Sequence, residues 1–139
     1  MADYLSLDFG TKKIGYATGS VGMAFPRGVF QNEGIDESVL RVSALVEEFG
    51  IKTIIVGLPL NIDEDMPENR QNVLLQEFVE AIKSKIPDVK IIYFDERLST
   101  FEAGQLLRDA RSKGFSDAIS KDALAAYVIL QRFFDKRSP

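Results

Sequence analysis

The chain has 139 residues, 45% of them hydrophobic, and a formal net charge of −4. A chain of this size can bury a sizeable core as one domain, so we expect a single domain over residues 1–139. Cysteine and histidine are both absent, which excludes disulfides and Ser-His-Asp or Cys-His nucleophilic sites, and the usual zinc sites are not expected. Acid–base or metal chemistry must then come from carboxylates, lysines, tyrosines or bound water.

The distribution of charged and apolar residues bears on location and partners. The N-terminus has no basic segment followed by a long apolar run, and no stretch approaches the roughly 20 apolar residues that a membrane span needs. We therefore expect a soluble, cytoplasmic protein without a membrane partner. Negative charge is unfavourable for a nucleic-acid binder, because clustered Lys and Arg normally make the phosphate contacts. A divalent cation held by carboxylates would reverse that sign locally.

The first part of the chain predicts three strands. Residues 4–9 and 14–18 have the composition of short strands, and the turn at residues 10–13 between them predicts a hairpin. Residues 23–31 predict a third strand. Pro26 places that strand at a sheet edge or in a bulge, because proline cannot donate a ladder hydrogen bond.

Helices and strands alternate in the middle of the chain. Residues 36–49 carry apolar side chains at helical spacing, and Gly50 stands just past the end. The apolar, β-branched run at residues 53–56 predicts a central strand that is covered on both faces. Residues 67–85 predict a second helix with proline in its first turn, and residues 89–94 predict another buried strand.

The last part of the chain predicts two more helices. Residues 99–102 read Ser-Thr-Phe-Glu, which fits a capping box that opens a helix. A flexible stretch is expected at residues 112–120, and a final helix at residues 121–134. Strands that alternate with helices imply parallel crossovers, while the opening strands imply antiparallel pairing. A mixed α/β sheet with helices on its faces is therefore predicted.

Three carboxylates lie where such a sheet could bring them together. Asp8 is near the end of the first strand, Glu96 follows the strand at residues 89–94, and Asp122 is in the first turn of the last helix. Asp95 is an alternative to Glu96, because neighbours on an extended chain point to opposite faces and only one can share a site with Asp8.

Each carboxylate also has an ordinary structural interpretation. Asp8 could start the turn before Gly10, Glu96 could lie in a solvated loop, and Asp122 could simply favour the positive end of the helix dipole. The alanines that follow Asp122 make that helix slim and allow it to approach the sheet closely. Carboxylates gathered there would repel one another unless cations lay between them, as in two-metal phosphoryl transfer. The residues permit such a site without requiring it.

Several segments resemble one known family: LSLDFGTKKIGYA, IIVGLPLN, FDERLSTFEA and KDALAAYVIL, which together span almost the whole chain. They are similar to the YqgF/RuvX family, described as Holliday junction resolvases and precursor ribosomal RNA nucleases. The resemblance implies a ribonuclease H-like fold related to that of RuvC, with a mixed five-stranded sheet and helices on both faces. It also implies phosphodiester cleavage that depends on Mg²⁺ or Mn²⁺.

The resemblance places the catalytic, metal-binding triad of that family on Asp8, Glu96 and Asp122. It implies a role in maturing the 5′ end of 16S ribosomal RNA, with branched DNA as an alternative substrate. The chain departs from the family at residues 63–68, Asp-Glu-Asp-Met-Pro-Glu, where relatives have small and glycine-rich residues. The added negative charge is expected to weaken non-specific binding of phosphate.

Candidate phosphate contacts are the basic residues near these motifs: Lys12, Lys13, Arg97, Arg108 and Arg111. Arginine suits a bidentate grip on phosphate oxygens. The competing interpretation is a solvated surface position, since most Lys and Arg side chains are exposed.

Two other functional classes compete with a nuclease. Residues 8–11, Asp-Phe-Gly-Thr, resemble the phosphate loop of the actin, sugar-kinase and heat-shock ATPase group, but those proteins close two related domains around the nucleotide and this chain has room for one. The other class is a non-catalytic RNA-binding or ribosome-assembly module, which the acidic charge and the altered loop favour. The oligomeric state is open between monomer and homodimer, although a junction resolvase would need two active sites.

Overall fold

The computed structural model describes residues 2–57, 68–94, 108 and 121–137. The elements in this part of the chain are, in order, β1 (Tyr4–Phe9), β2 (Lys13–Ser20), β3 (Met23–Gln31), α1 (Ile35–Phe49), β4 (Thr53–Gly57), α2 (Glu68–Lys85), β5 (Lys90–Phe94) and α3 (Lys121–Arg137). Each predicted strand and helix in the described ranges is confirmed, with ends that differ by a few residues. The predicted burial of the strand at residues 89–94 is wrong, because β5 lies at an edge of the sheet, with Lys90 and Tyr93 exposed and its other residues half-buried. The capping box at residues 99–102 and the stretch at residues 112–120 lie outside those ranges.

The strands form one five-stranded sheet in the order β3-β2-β1-β4-β5. The β1–β2 and β2–β3 pairs are antiparallel, whereas the β1–β4 and β4–β5 pairs are parallel. The predicted mixed sheet is therefore confirmed. Pro26 lies on β3, the edge strand, as its missing N–H predicts, and the β2–β3 register shifts between Tyr16 and Ala17.

Helices α1 and α2 cover one face of the sheet. Leu5, Leu7 and Phe9 of β1 belong to a buried cluster that includes Val42 of α1 and Phe78 of α2. The first helix ends as its sequence predicts: Gly50 adopts the left-handed conformation with a φ of 67°, and its N–H donates to the carbonyl oxygen of Val46.

Helix α3 covers the other face. Its apolar residues form a second buried cluster with Ala17, Ala24 and Ile55 of the sheet. Both faces of the central strands are therefore buried, which explains why β4 is almost wholly apolar. Among the helices of the described ranges, none is long and apolar enough to cross a membrane.

A core substitution tests this packing. Phe78 is fully buried, and its ring centroid lies 5.0 Å from that of Phe9. We expect Phe78→Ala to lower the free energy of unfolding in urea by about 3–5 kcal/mol, because the cavity adds to the lost apolar burial. The control is Val73→Ala on the same helix, whose side chain is 51% exposed and whose loss we expect to change stability by no more than about 0.5 kcal/mol. Equal losses in the two variants would contradict the packing described here.

Candidate active site

Asp8 lies in a row of three residues that crosses the centre of the sheet. Its direct neighbours are Gly15 on β2 and Gly57 on β4. Residues opposite one another on paired strands point to the same face, so the three positions face the same helix. A Cβ atom at Gly15 would overlap the main-chain oxygen of Asp122, and one at Gly57 would lie 2.6 Å from Cδ1 of Ile129. The row therefore faces α3, and of these three positions only Asp8 carries a side chain.

A buried hydrogen bond fixes the register of α3 on this face. The hydroxyl of Ser6 donates to the carbonyl oxygen of Ala126 across 2.7 Å, and Ser6 is fully buried. Asp8 lies two residues beyond Ser6 along the strand, and Asp122 lies one turn before Ala126 along the helix. Both steps measure about 6–7 Å. The structure thus brings Asp8 and the first turn of α3 together.

The composition of α3 allows this close approach. Ala123, Ala125 and Ala126 are all buried, and their small side chains let the helix backbone lie against Gly15, whereas Gly57 lies against the side chain of Ile129. Asp122 itself is partly exposed. The first turn of the helix therefore places the main chain of Asp122 against Gly15, the neighbour of Asp8 in the row.

Asp8 is only 6% exposed, which matters for its charge. A carboxylate that has lost most of its water stays ionised only where hydrogen bonds or a cation compensate for the loss. Two carboxylates from adjacent elements also favour a cation between them, because like charges otherwise repel. Oxygen ligands of this kind suit Mg²⁺ and Mn²⁺. The residues present therefore fit a divalent cation.

The third predicted carboxylate, Glu96, lies outside the described residues. The strand that precedes it in the sequence, β5, ends at Phe94, which pairs with Gly57 and so ends on the same row as Asp8. Within residues 2–57, 68–94, 108 and 121–137, no group of three or more His, Cys, Asp or Glu residues is close enough to hold a metal ion. A complete triad would need a ligand from the rest of the chain.

The candidate phosphate contacts are placed in part. Lys12 and Lys13 are exposed and lie at the β1–β2 turn, which begins just beyond Asp8. Arg108 is also exposed. Arg97 and Arg111 lie outside the described residues. Among the basic residues that the structure describes, Lys12 and Lys13 are therefore the first to follow Asp8 in the sequence.

Tyr93 has a shifted pKa but lies off this row. Partial burial raises the pKa of its phenol above the ordinary value, and the nearby Glu80 carboxylate raises it further, so the phenol is neutral at physiological pH. Tyr93 pairs with Val56, which pairs with Leu7. It therefore faces α1 and α2, on the other side of the sheet from Asp8.

Sequence reasoning missed Gly15, Gly57 and Asn32. The glycines carried a usable signal, because an isolated glycine inside a strand often marks the close approach of another backbone. The sequence signal at Asn32 was weaker. Its side-chain amide donates to the carbonyl oxygen of Gly10 across 2.8 Å, a contact between residues that are distant in the sequence and that no local pattern announces.

Comparison with known proteins identifies the family. Residues 2–136 match the family model described as RuvX, Holliday junction resolvase. The chain belongs to the RuvX family. Among RuvX relatives named "Putative pre-16S rRNA nuclease", the one from Acetivibrio thermocellus is 31% identical over 137 residues, 96% of this chain and 95% of the relative. One from Sulfurihydrogenibium sp. is 35% identical over 142 residues, 99% of this chain and 93% of the relative.

Solved structures show the fold of this RuvX chain. RuvC of Thermus thermophilus in complex with a Holliday junction substrate is similar with a TM-score of 0.63 and 16% identity, over 96% of this chain and 94% of that one. The fowlpox virus Holliday junction resolvase is similar with a TM-score of 0.58 and 12% identity, over 96% and 97%. The predicted ribonuclease H-like fold and the predicted family are both confirmed. Membership of this family supports a hydrolase that acts on nucleic acid.

Proposed function

We propose that this protein is a divalent-metal-dependent endonuclease that hydrolyses phosphodiester bonds during 5′-end processing of precursor 16S ribosomal RNA. The observation that carries the proposal is the row of Gly15, Asp8 and Gly57, in which Gly15 lies against the main chain of Asp122 in the first turn of α3. Relatives named for this RNA align with nearly the whole chain. In bacteria precursor ribosomal RNA is a cytoplasmic molecule, so the proposal places the protein in the cytoplasm, where residues 1–139 act as one nuclease domain.

In the proposed site, Asp8, Glu96 and Asp122 hold Mg²⁺ or Mn²⁺. When bound, the cation supplies positive charge that stabilises the attacked phosphate and the leaving oxygen. Asp8 contributes a ligand whose position is fixed by the sheet. Asp122 contributes one whose position depends on how closely α3 is docked. The ligands of the cation would thus come from two elements that are packed on each other.

Basic residues are proposed to bind the substrate. Lys12 and Lys13 are proposed to contact the backbone phosphates next to the scissile bond, with Arg97, Arg108 and Arg111 as further contacts. The positive charge of Lys12 and Lys13 offsets the negative charge of the whole chain near Asp8, and phosphate contacts of this kind make binding salt-dependent.

A Holliday junction resolvase is the second candidate function. The description of the family model favours it. Cutting a four-way junction needs two active sites, so this function would require a homodimer. We place RNA first because relatives that align with 96% and 99% of this chain carry the RNA nuclease name.

A cleavage assay separates these functions. Purified protein is incubated with end-labelled precursor 16S RNA and with a labelled DNA four-way junction, each with Mg²⁺, Mn²⁺ or a chelator. We expect cation-dependent cutting of the RNA and little or no cutting of the junction. Activity that persists in chelator would contradict the metal mechanism. RNA binding without any cutting would instead indicate a non-catalytic assembly module, and sedimentation of the same sample reports whether the active species is a monomer or a dimer.

A further inference from the structure

Asn32, the residue just after β3, bridges the β1–β2 turn and helix α1. Its side-chain amide nitrogen donates to the carbonyl oxygen of Gly10 across 2.8 Å, and its main-chain N–H donates to the carbonyl oxygen of Lys12 across 2.9 Å. Its side-chain oxygen accepts hydrogen bonds from the N–H of Gly34 and the hydroxyl of Ser38, both at 3.2 Å. The side chain of Asn32 thus links Gly10 to the start of α1, and its main chain holds Lys12 on the other side of the turn.

These partners fix the orientation of the Asn32 amide. A flipped amide would place its oxygen against the carbonyl oxygen of Gly10 and its nitrogen against the N–H of Gly34, which loses both bonds. Asn32→Asp would likewise set a carboxylate oxygen against the Gly10 carbonyl. Ser38, at the helix end of the link, is only 1% exposed. The site therefore specifically requires an amide.

The turn that Asn32 holds is the one that carries the exposed Lys12 and Lys13 just beyond Asp8. We propose that Asn32 is a positioning residue for nucleic-acid binding, which fixes this turn so that the two lysines meet the substrate backbone beside Asp8. This inference rests on the proposed nuclease function. A turn that is already anchored loses less conformational entropy when substrate binds. A free turn would lose more, and that loss would weaken binding. Asn32 also donates hydrogen bonds to the carbonyl oxygens of Gly10 and Lys12. These oxygens are therefore not left to repel a substrate phosphate.

Native-state proteolysis tests the anchor without any substrate. Trypsin cleaves after lysine, so release of the turn exposes bonds after Lys12 and Lys13. We expect Asn32→Ala to be cut there at least about tenfold faster than the wild type, as the loss of a partly buried hydrogen bond implies. The control is Gln31→Ala, an exposed neighbour, which we expect to resist cutting as the wild type does. If Asn32→Ala fails to fold, Asn32→Asp keeps the size of the side chain and supplies the same comparison. Unchanged resistance in both Asn32 variants would overturn the anchor.

A double-mutant cycle then tests the role in binding. The dissociation constant for a 5′ fragment of precursor 16S RNA is measured in an Asp122→Asn background, where cleavage does not interfere. We expect Asn32→Ala to weaken binding about tenfold on its own, but to add less than about twofold once Lys12 and Lys13 are both alanine, because it acts through them. Additive losses would overturn the positioning role. Failure of the wild type to bind RNA would overturn the proposed function and this role with it, while the trypsin result on the anchor would stand independently.

Discussion

An Asp8→Asn variant is expected to fold as the wild type does and to lose nearly all cleavage of precursor RNA. Asparagine has the same size, so the row between Gly15 and Gly57 keeps its packing. The substitution removes the negative charge that would hold the cation. We expect single-turnover cleavage to fall by at least about 1000-fold, as it does when an essential catalytic group is removed.

The matched control is Asp36→Asn. Asp36 is exposed in the first turn of α1, a helix that packs on the opposite face of the sheet. The same loss of charge there should leave turnover within about twofold of the wild type, because exposed substitutions away from a site have small effects. A loss of cleavage in Asp36→Asn as large as that in Asp8→Asn would show that the assay reports net charge rather than a metal ligand.

Thermal unfolding supplies a second readout that does not depend on the choice of RNA. A cation that binds the folded protein raises its melting temperature, and the stabilisation grows with the logarithm of the cation concentration once that concentration exceeds the dissociation constant. We expect Mn²⁺ to stabilise the wild type and to stabilise Asp8→Asn much less. If Asp8→Asn retains both the metal-dependent shift and the turnover, the carboxylate row is not the metal site and the proposed mechanism is wrong.

Local sequence patterns were sufficient to predict the elements in the described ranges. The spacing of apolar residues and Gly50 predicted α1, and the β-branched run of β4 predicted a strand covered on both faces. Pro26 predicted that β3 lies at an edge. These signals succeed because each depends on the chemistry of neighbouring residues, which the sequence contains directly.

The geometry around Asp8 depends on pairings between distant residues. The carboxylate of Asp122 can be explained equally well by the helix dipole as by a site until α3 is docked, and its docking depends on Gly15 in another element. Asn32 forms its bonds to Gly10 and Lys12 only because β3 pairs with β2 in the observed register. Local patterns contain no information on register or docking. The family resemblance suggested the residues of the site, and their contacts required the fold.

The second large effect is expected from Gly15→Ala. An added Cβ would overlap the main-chain oxygen of Asp122 and crowd the nitrogen of Ala123. Main-chain atoms of a helix cannot rotate away as a side chain can, so the first turn of α3 must move off the sheet. Overpacking of this kind typically costs about 1–3 kcal/mol of stability. A shift of about 1 Å at a reacting centre can reduce turnover by about 100-fold.

Gly28→Ala is the control that separates displacement of the site from the general cost of a methyl group in a strand. The three atoms nearest to a Cβ at Gly28 would be side-chain atoms of Tyr16, at 3.1–3.4 Å, and a tyrosine ring can shift by a few tenths of an ångström. We expect a small loss of stability in Gly28→Ala, with cleavage and the Mn²⁺ concentration for half-maximal rate close to those of the wild type.

Gly15→Ala should differ from this control in its metal dependence more than in its melting temperature. If the helix start carries a ligand, moving Asp122 away from Asp8 weakens the hold on the cation, so half-maximal cleavage should need at least about tenfold more Mn²⁺ and saturating Mn²⁺ should restore part of the rate. A purely structural glycine would lower the folded fraction without changing that midpoint. The midpoint therefore decides whether the close approach of α3 to β2 serves the chemistry or only the packing of the fold.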